Sequence, residues 1–263
     1  MSTENKKMKD FKDLELKDDF MFGVIMSQEK YCRPFLEIVL DAEIEKLEYH
    51  ESQTSIGHRP ASKGIRADVY VRDEKHTVYD LEMQIRVDKK ELPKRTRYYQ
   101  GVIDIGLLKS GADYSTLQKV YIIFVCTSDP FGYGLHRYTF ENLCKEVPGL
   151  QLGDGGIKVF LNARGTENDV SGDLKNLLRY IATSEPTDDF TKALDDAVRE
   201  VKMDEKYNLE YIKQQIKARE IEQSGYERGV EQGIEQERER SEKLLAEKDA
   251  IIESLKKQLA ALS

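Results

Sequence analysis

Apolar and polar positions alternate with two different periods along this chain. From Leu14 to about Ala42 the spacing is helical, with Phe20, Val24 and Ile25 and then Phe35, Leu36, Val39 and Leu40 recurring every three or four residues, and Pro34 placed to open a second helix. His50 to Lys63 is polar, contains Gly57 and Pro60, and reads as a loop. Two period-two segments follow, Ile65 to Arg72 and Thr77 to Arg86, separated by the turn-like Asp73-Glu74-Lys75-His76. Lys89 to Lys109 returns to helical spacing through Leu92, Tyr99, Val102, Ile103 and Leu107.

The run VYIIFVC, Val120 to Cys126, is continuously apolar and rich in β-branched and aromatic residues, which predicts a central strand buried on both faces. Tyr138 to Leu143 and Ile157 to Leu161 predict two further strands. Strands bracketed by helices define an α/β domain over 1–165. Asp173 to Ile181 and Asp188 to Lys213 read as helices, giving a helical segment at 166–215. The remainder, 216–263, repeats glycine every fourth residue at Gly225, Gly229 and Gly233, a spacing that permits close helix approach or merely weakens the helix. Leu245, Ile252 and Leu259 then fall seven apart, with Leu255 and Leu262 between and Lys248 interrupting. That predicts a short coiled coil and homo-oligomerisation, or else one solvated helix.

Composition narrows the function. With 263 residues, 39% of them apolar, the chain can bury a genuine core. The net charge of −8 supplies no global attraction for nucleic acid, so a polyanion site has to be a local patch. Cys32, Cys126 and Cys144 are odd in number, far apart and without CxxC spacing, so neither a disulfide framework nor a zinc site is expected. The polar N-terminal stretch lacks the apolar centre of a signal peptide, and no run is long enough to span a bilayer. A soluble cytoplasmic protein is the expectation. His50, His58, His76 and His136 fit no metal or triad spacing, and the LGDGG stretch reads as a turn.

The chemistry gathers on TVYDLEMQIR, Thr77 to Arg86, where Asp80, Glu82 and Gln84 share one face of the strand. If the two period-two segments form an antiparallel hairpin centred on Lys75, Tyr70 faces Asp80, Asp68 faces Glu82 and Arg66 faces Gln84. Opposed residues share a face, with Cβ atoms about 4.5–5.5 Å apart. Two carboxylates so placed repel unless a cation lies between them, and Mg²⁺ suits oxygen donors of this kind. Such an ion polarises a phosphodiester and acidifies a bound water, while Gln84 orients that water or the phosphate. The bland alternative is a solvated strand face paired with Arg66, Arg72 and Arg86, and a slip of one residue would separate Asp68 from Glu82. Just beyond, Lys89, Lys90, Lys94, Arg95 and Arg97, with Tyr98 among them, form a local basic patch suited to DNA phosphates.

At these residues the chain resembles the PD-(D/E)XK nuclease superfamily, in particular its recombination-promoting nuclease/transposase branch. The matching pieces are KDDFMF at 17–22, RADVYV at 66–71, LEMQ at 81–84 and KRTRYY at 94–99. The resemblance implies a restriction-endonuclease-like core, a mixed sheet flanked by helices, with a C-terminal helical or coiled-coil extension. It also implies a Mg²⁺-dependent DNA endonuclease, with Asp68 and Glu82 as metal ligands and Asp19 of the first helix as a further acid. Gln84 stands where the superfamily usually has lysine, and Ala67 where it has proline. The competing expectation is a decayed nuclease fold serving as an oligomeric interaction or DNA-binding scaffold.

Overall fold

The computed structural model describes residues 9–49, 55–56, 65–66 and 68–260. In chain order the elements are α1 (Asp19–Met26), α2 (Glu29–Leu40), β1 (Leu47–Tyr49), β2 (Ser55–Ile56), β3 (Ile65–Arg66), β4 (Val69–Asp73), β5 (Val78–Gln84), α3 (Leu92–Leu107), β6 (Val120–Cys126), β7 (Arg137–Phe140), β8 (Gly156–Asn162), α4 (Gly172–Thr183), α5 (Asp189–Met203) and α6 (Glu205–Ala260). Two compact units result, one extending to Glu205 and one starting at Lys206.

The first unit is built on a six-stranded mixed sheet of order β1-β4-β5-β6-β8-β7, with β2 and β3 paired separately. β6 lies at its centre, parallel to β5 and to β8, and the outer pairings are antiparallel. The run VYIIFVC thus occupies the position its composition demands, since a parallel central strand is covered on both sides. On one face Val78, Val120, Ile122, Phe124 and Phe160 pack under Leu92, Tyr99 and Ile103 of α3. The opposite face carries the buried Leu81, Ile123, Val125 and Leu161, and there α1 packs on β5 while α1, α2, α4 and α5 pack on one another. This is an α/β restriction-endonuclease-like architecture.

Several boundaries differ from the periodicity. Pro34 lies inside α2 rather than at its start. The carbonyl it leaves without an amide donor belongs to Lys30, an exposed residue in the first turn. The segment anticipated as one strand over 65–72 is two, because the chain bends at Asp68 between β3 and β4. Part of the anticipated loop at 50–63 is β2, antiparallel to β3; the rest of it, with His50 and His58, lies outside the described residues, as does Ala67. The strand expected over 138–143 runs from Arg137 to Phe140. The helix expected over 188–213 is interrupted at Asp204, the C-cap of α5.

The second unit is one helix. α6 runs through Gly225, Gly229 and Gly233 without a break, and a Cβ added at any of the three would meet nothing within 4 Å. Leu245 and Ile252 are exposed on it; the side chains of Leu255 and Leu259, and all of Leu262, fall outside the described residues. Among the described residues no helix is long and apolar enough to cross a membrane.

The β4–β5 hairpin is fixed by Asp73. Its buried carboxylate accepts hydrogen bonds from the amides of Lys75 (2.9 Å) and Thr77 (2.7 Å) and from the Tyr79 hydroxyl (2.7 Å). His76 completes the turn at φ 64°, in the left-handed region. Asp73→Ala is expected to cost about 2–3 kcal/mol by orphaning these donors, whereas His76→Gly should stay within about 1 kcal/mol of wild type. Chemical denaturation of both variants checks the contrast.

Candidate active site

The hairpin register pairs Val69 with Leu81, Tyr70 with Asp80, Val71 with Tyr79 and Arg72 with Val78. Extending it by one residue sets Asp68 opposite Glu82. Hydrogen bonds tie the pair: the Asp68 amide donates to Glu82 Oε1 (3.3 Å), and Asp68 Oδ2 accepts from the Met83 amide (2.9 Å). Because side chains alternate along a strand, Asp80, Glu82 and Gln84 all project from the face that α3 covers. All three are buried, Asp80 at 0% exposure.

α3 supplies the cation. Asp88 holds the turn that leads into the helix, its Oδ1 accepting from the Lys90 and Glu91 amides and its carbonyl from the Leu92 amide. Leu92, Thr96, Tyr99 and Ile103 form the buried stripe. Arg95, three residues after Leu92 and four before Tyr99, borders that stripe and turns inward. Its Nη1 donates to Gln84 Oε1 (2.6 Å), and its Nη2 to Glu82 Oε2 (3.3 Å) and to the Tyr99 hydroxyl (3.0 Å). The guanidinium also lies 5.3 Å from the Phe124 ring centroid and 5.4 Å from that of Tyr99, within cation–π range. Lys89, Lys90, Lys94, Arg97 and Tyr98 are exposed, so the patch anticipated at 89–97 divides, with Arg95 directed at the carboxylates and the rest at solvent.

Asp19 is the first residue of α1, and Asp18 is its N-cap. Asp18 is engaged by Lys9 Nζ (2.6 Å) and the Glu15 amide (2.7 Å). Asp19 lies one turn before Gly23, where an added Cβ would come within 3.5 Å of the Asp68 carbonyl. That shared helix face places Asp19 on the side of α1 turned toward Asp68.

The electrostatics are out of balance. Glu82 meets Arg95, but both carboxylate oxygens of Asp80 are buried without a hydrogen-bond partner. Burial, then the charge of Asp68, pushes Asp80 up to about 8; burial, then the charges of Asp80 and Asp68, pushes Glu82 up to about 9, against the pull of Arg95. Asp68, Asp80 and Glu82 present oxygen donors of the kind that suits a hard divalent ion. The orphaned oxygens of Asp80 show that the donor set has capacity Arg95 does not use. As the side chains stand, no three His, Cys, Asp or Glu residues among those described are gathered closely enough to cage an ion, because Glu82 is drawn toward Arg95 and Asp68 toward the Met83 amide.

Residues 16–142 match the family model described as PD-(D/E)XK nuclease family transposase. Over these residues the sequence is of this family. The match spans α1, the β4–β5 hairpin, α3 and the central strand, so every acid discussed above lies within it. No curated protein and no solved structure matches the chain.

The sequence gives Asp80 no role and gives Arg95 a different one. Asp80 was visible on the Glu82 face, yet alternation alone does not tell a buried acid from a solvated one. Arg95 was read as part of the outward patch; the signal for its inward direction is the i, i+4 spacing to Tyr99 on the apolar stripe.

The raised carboxyls make stability depend on pH. Unfolded carboxyls ionise near pH 4, so above that range the folded chain holds more protons than the unfolded one. Stability is therefore greatest at and below the ordinary carboxyl range and is lost as pH rises toward 8–9. In EDTA the melting temperature should fall steadily between pH 5 and pH 9, and Asp80→Asn should flatten that slope. Thermal melts across the range measure both.

Proposed function

We propose that the chain is a Mg²⁺-dependent DNA endonuclease of the recombination-promoting type, cutting phosphodiester bonds during recombination or mobile-element processing in the cytoplasm. The observation that carries this reading is Asp68 tied to the Glu82 strand by two hydrogen bonds, beside Asp80, whose carboxyl oxygens are buried without a hydrogen-bond partner. In this reading Asp68 and Glu82 hold the ion, and Asp19 adds an acid from α1. The ion supplies Lewis acidity toward the scissile phosphate and acidifies a water nucleophile. Gln84, whose amide oxygen accepts from Arg95, directs its NH₂ group to that water or to a phosphate oxygen. Lys89, Lys90, Lys94, Arg97 and Tyr98 hold the flanking backbone, which gives salt-sensitive binding without base readout. Arg95, freed from Glu82 when the ion is bound, joins them. Self-association of the α6 tail as a coiled coil pairs two such domains, one for each strand of a duplex.

A second reading, an oligomeric scaffold on a decayed nuclease fold, draws on the contacts of Arg95 with both Glu82 and Gln84, since an arginine so placed neutralises part of the site without any metal. The two readings separate on plasmid nicking. With Mg²⁺ or Mn²⁺ the wild type should nick supercoiled DNA, Asp68→Ala and Glu82→Ala should fall to background, and Gln84→Ala should lose roughly two orders of magnitude. Lys94→Ala with Arg97→Ala should weaken DNA binding on all sequences alike and reduce the salt slope by about two. No cleavage with either ion, alongside undiminished self-association, selects the scaffold.

A further inference from the structure

The reading above assigns the ion to Asp68 and Glu82 and leaves Asp80 without a task, and nothing in the fold supplies one. Its ladder neighbours are Ile122 on β6 and Tyr70 on β4, and neither donates a hydrogen bond to it, both oxygens being without a partner. The surrounding face is Val78, Val120, Ile122 and Phe124, where an aliphatic residue would satisfy packing with no polar group to desolvate. A fully buried carboxylate with no donor opposes folding. A ligand that arrives after folding would give those oxygens the partner the fold withholds.

Geometry indicates which one. Asp80 stands two residues before Glu82 on the same strand face, about 6.6 Å away at the usual rise per residue. Asp68, opposite Glu82, is its diagonal neighbour across the hairpin, at about 7–8 Å between backbone positions. These separations bring three carboxylates within reach of a common point once Glu82 releases Arg95. We propose that Asp80 is a third carboxylate donor to the divalent ion, its oxygens unpartnered until the ion takes the place of the Arg95 guanidinium. This rests on the metal-dependent reading above and extends it to a residue that reading does not use. Binding is then an exchange at Glu82 of the Arg95 guanidinium for the ion.

The test is calorimetric titration of Mn²⁺ and Mg²⁺ into the full chain and into Asp80→Asn and Asp68→Ala, paired with thermal melts in EDTA and in saturating metal. Asp80→Asn keeps the shape and removes the charge. It should raise the melting temperature in EDTA, weaken metal binding by at least about tenfold and lose most of the metal-induced rise in melting temperature. Metal affinity for Asp80→Asn within threefold of wild type, with binding abolished in Asp68→Ala, would overturn this inference and leave the two-acid site intact. Unchanged binding in both variants would overturn the metal-site reading itself, and this inference with it. Should Asp80→Asn melt lower in EDTA, the carboxylate has a structural partner and the proposal fails on that ground alone.

Discussion

Three acids gathered at one hairpin, Asp68, Asp80 and Glu82, with the Arg95 guanidinium against Glu82, are the constraint to which the rest of the domain answers. Acids this close are tolerable only if the backbone that carries them is held firmly. The carboxylate of Asp73 holds the turn through three donors, and the parallel ladder to β6 along the whole of β5 holds the strand. α1 passes over the Asp68 backbone at Gly23.

Much of this was legible in the sequence because it depends on period and on turn chemistry. β6 is a continuous apolar run, and the fold gives such a run one place. The register of β4 and β5 follows from a four-residue turn between two alternating segments, and it sets Asp68 opposite Glu82 as anticipated. The bend at Asp68 was not legible, because alternation continues through it while the backbone changes direction to leave the ladder. Nor was α2, whose first turn precedes Pro34, since a proline early in a helix and one at its start leave similar patterns. The continuity of α6 through three glycines runs against local propensity, and its exposed apolar residues, among them Val230, Ile234, Leu244 and Leu245, do not form one unbroken heptad series.

The split within the 89–97 patch has the same origin. Composition counts cations without direction, whereas a helix packed on a sheet assigns each residue a side by its phase against the buried stripe. Lys94 and Arg97 fall on the solvent side of the stripe through Leu92, Thr96 and Tyr99. Arg95 falls at its border, close enough to the sheet for a long planar donor to reach two residues of β5 at once. Lysine, with a single compact ammonium, would not bridge Gln84 and Glu82 while resting on two aromatic rings. A chain of net charge −8 thus keeps positive potential on one outer helix face and commits one cation inward.

That commitment bears on the residue at 84. Resemblance to the superfamily sets a lysine there as the usual third motif residue, and a lysine at this position would place a second cation against Arg95. Glutamine instead accepts from Arg95 at 2.6 Å, so the two side chains attract where a lysine would repel. The positive charge at this end of the site is therefore carried by α3 and not by β5. A charge on a strand is fixed beside its neighbours by the ladder, but a charge at the end of a long side chain on the facing helix can be exchanged. In the proposed site, the charge that a lysine at 84 would bring is supplied instead from the facing helix by Arg95.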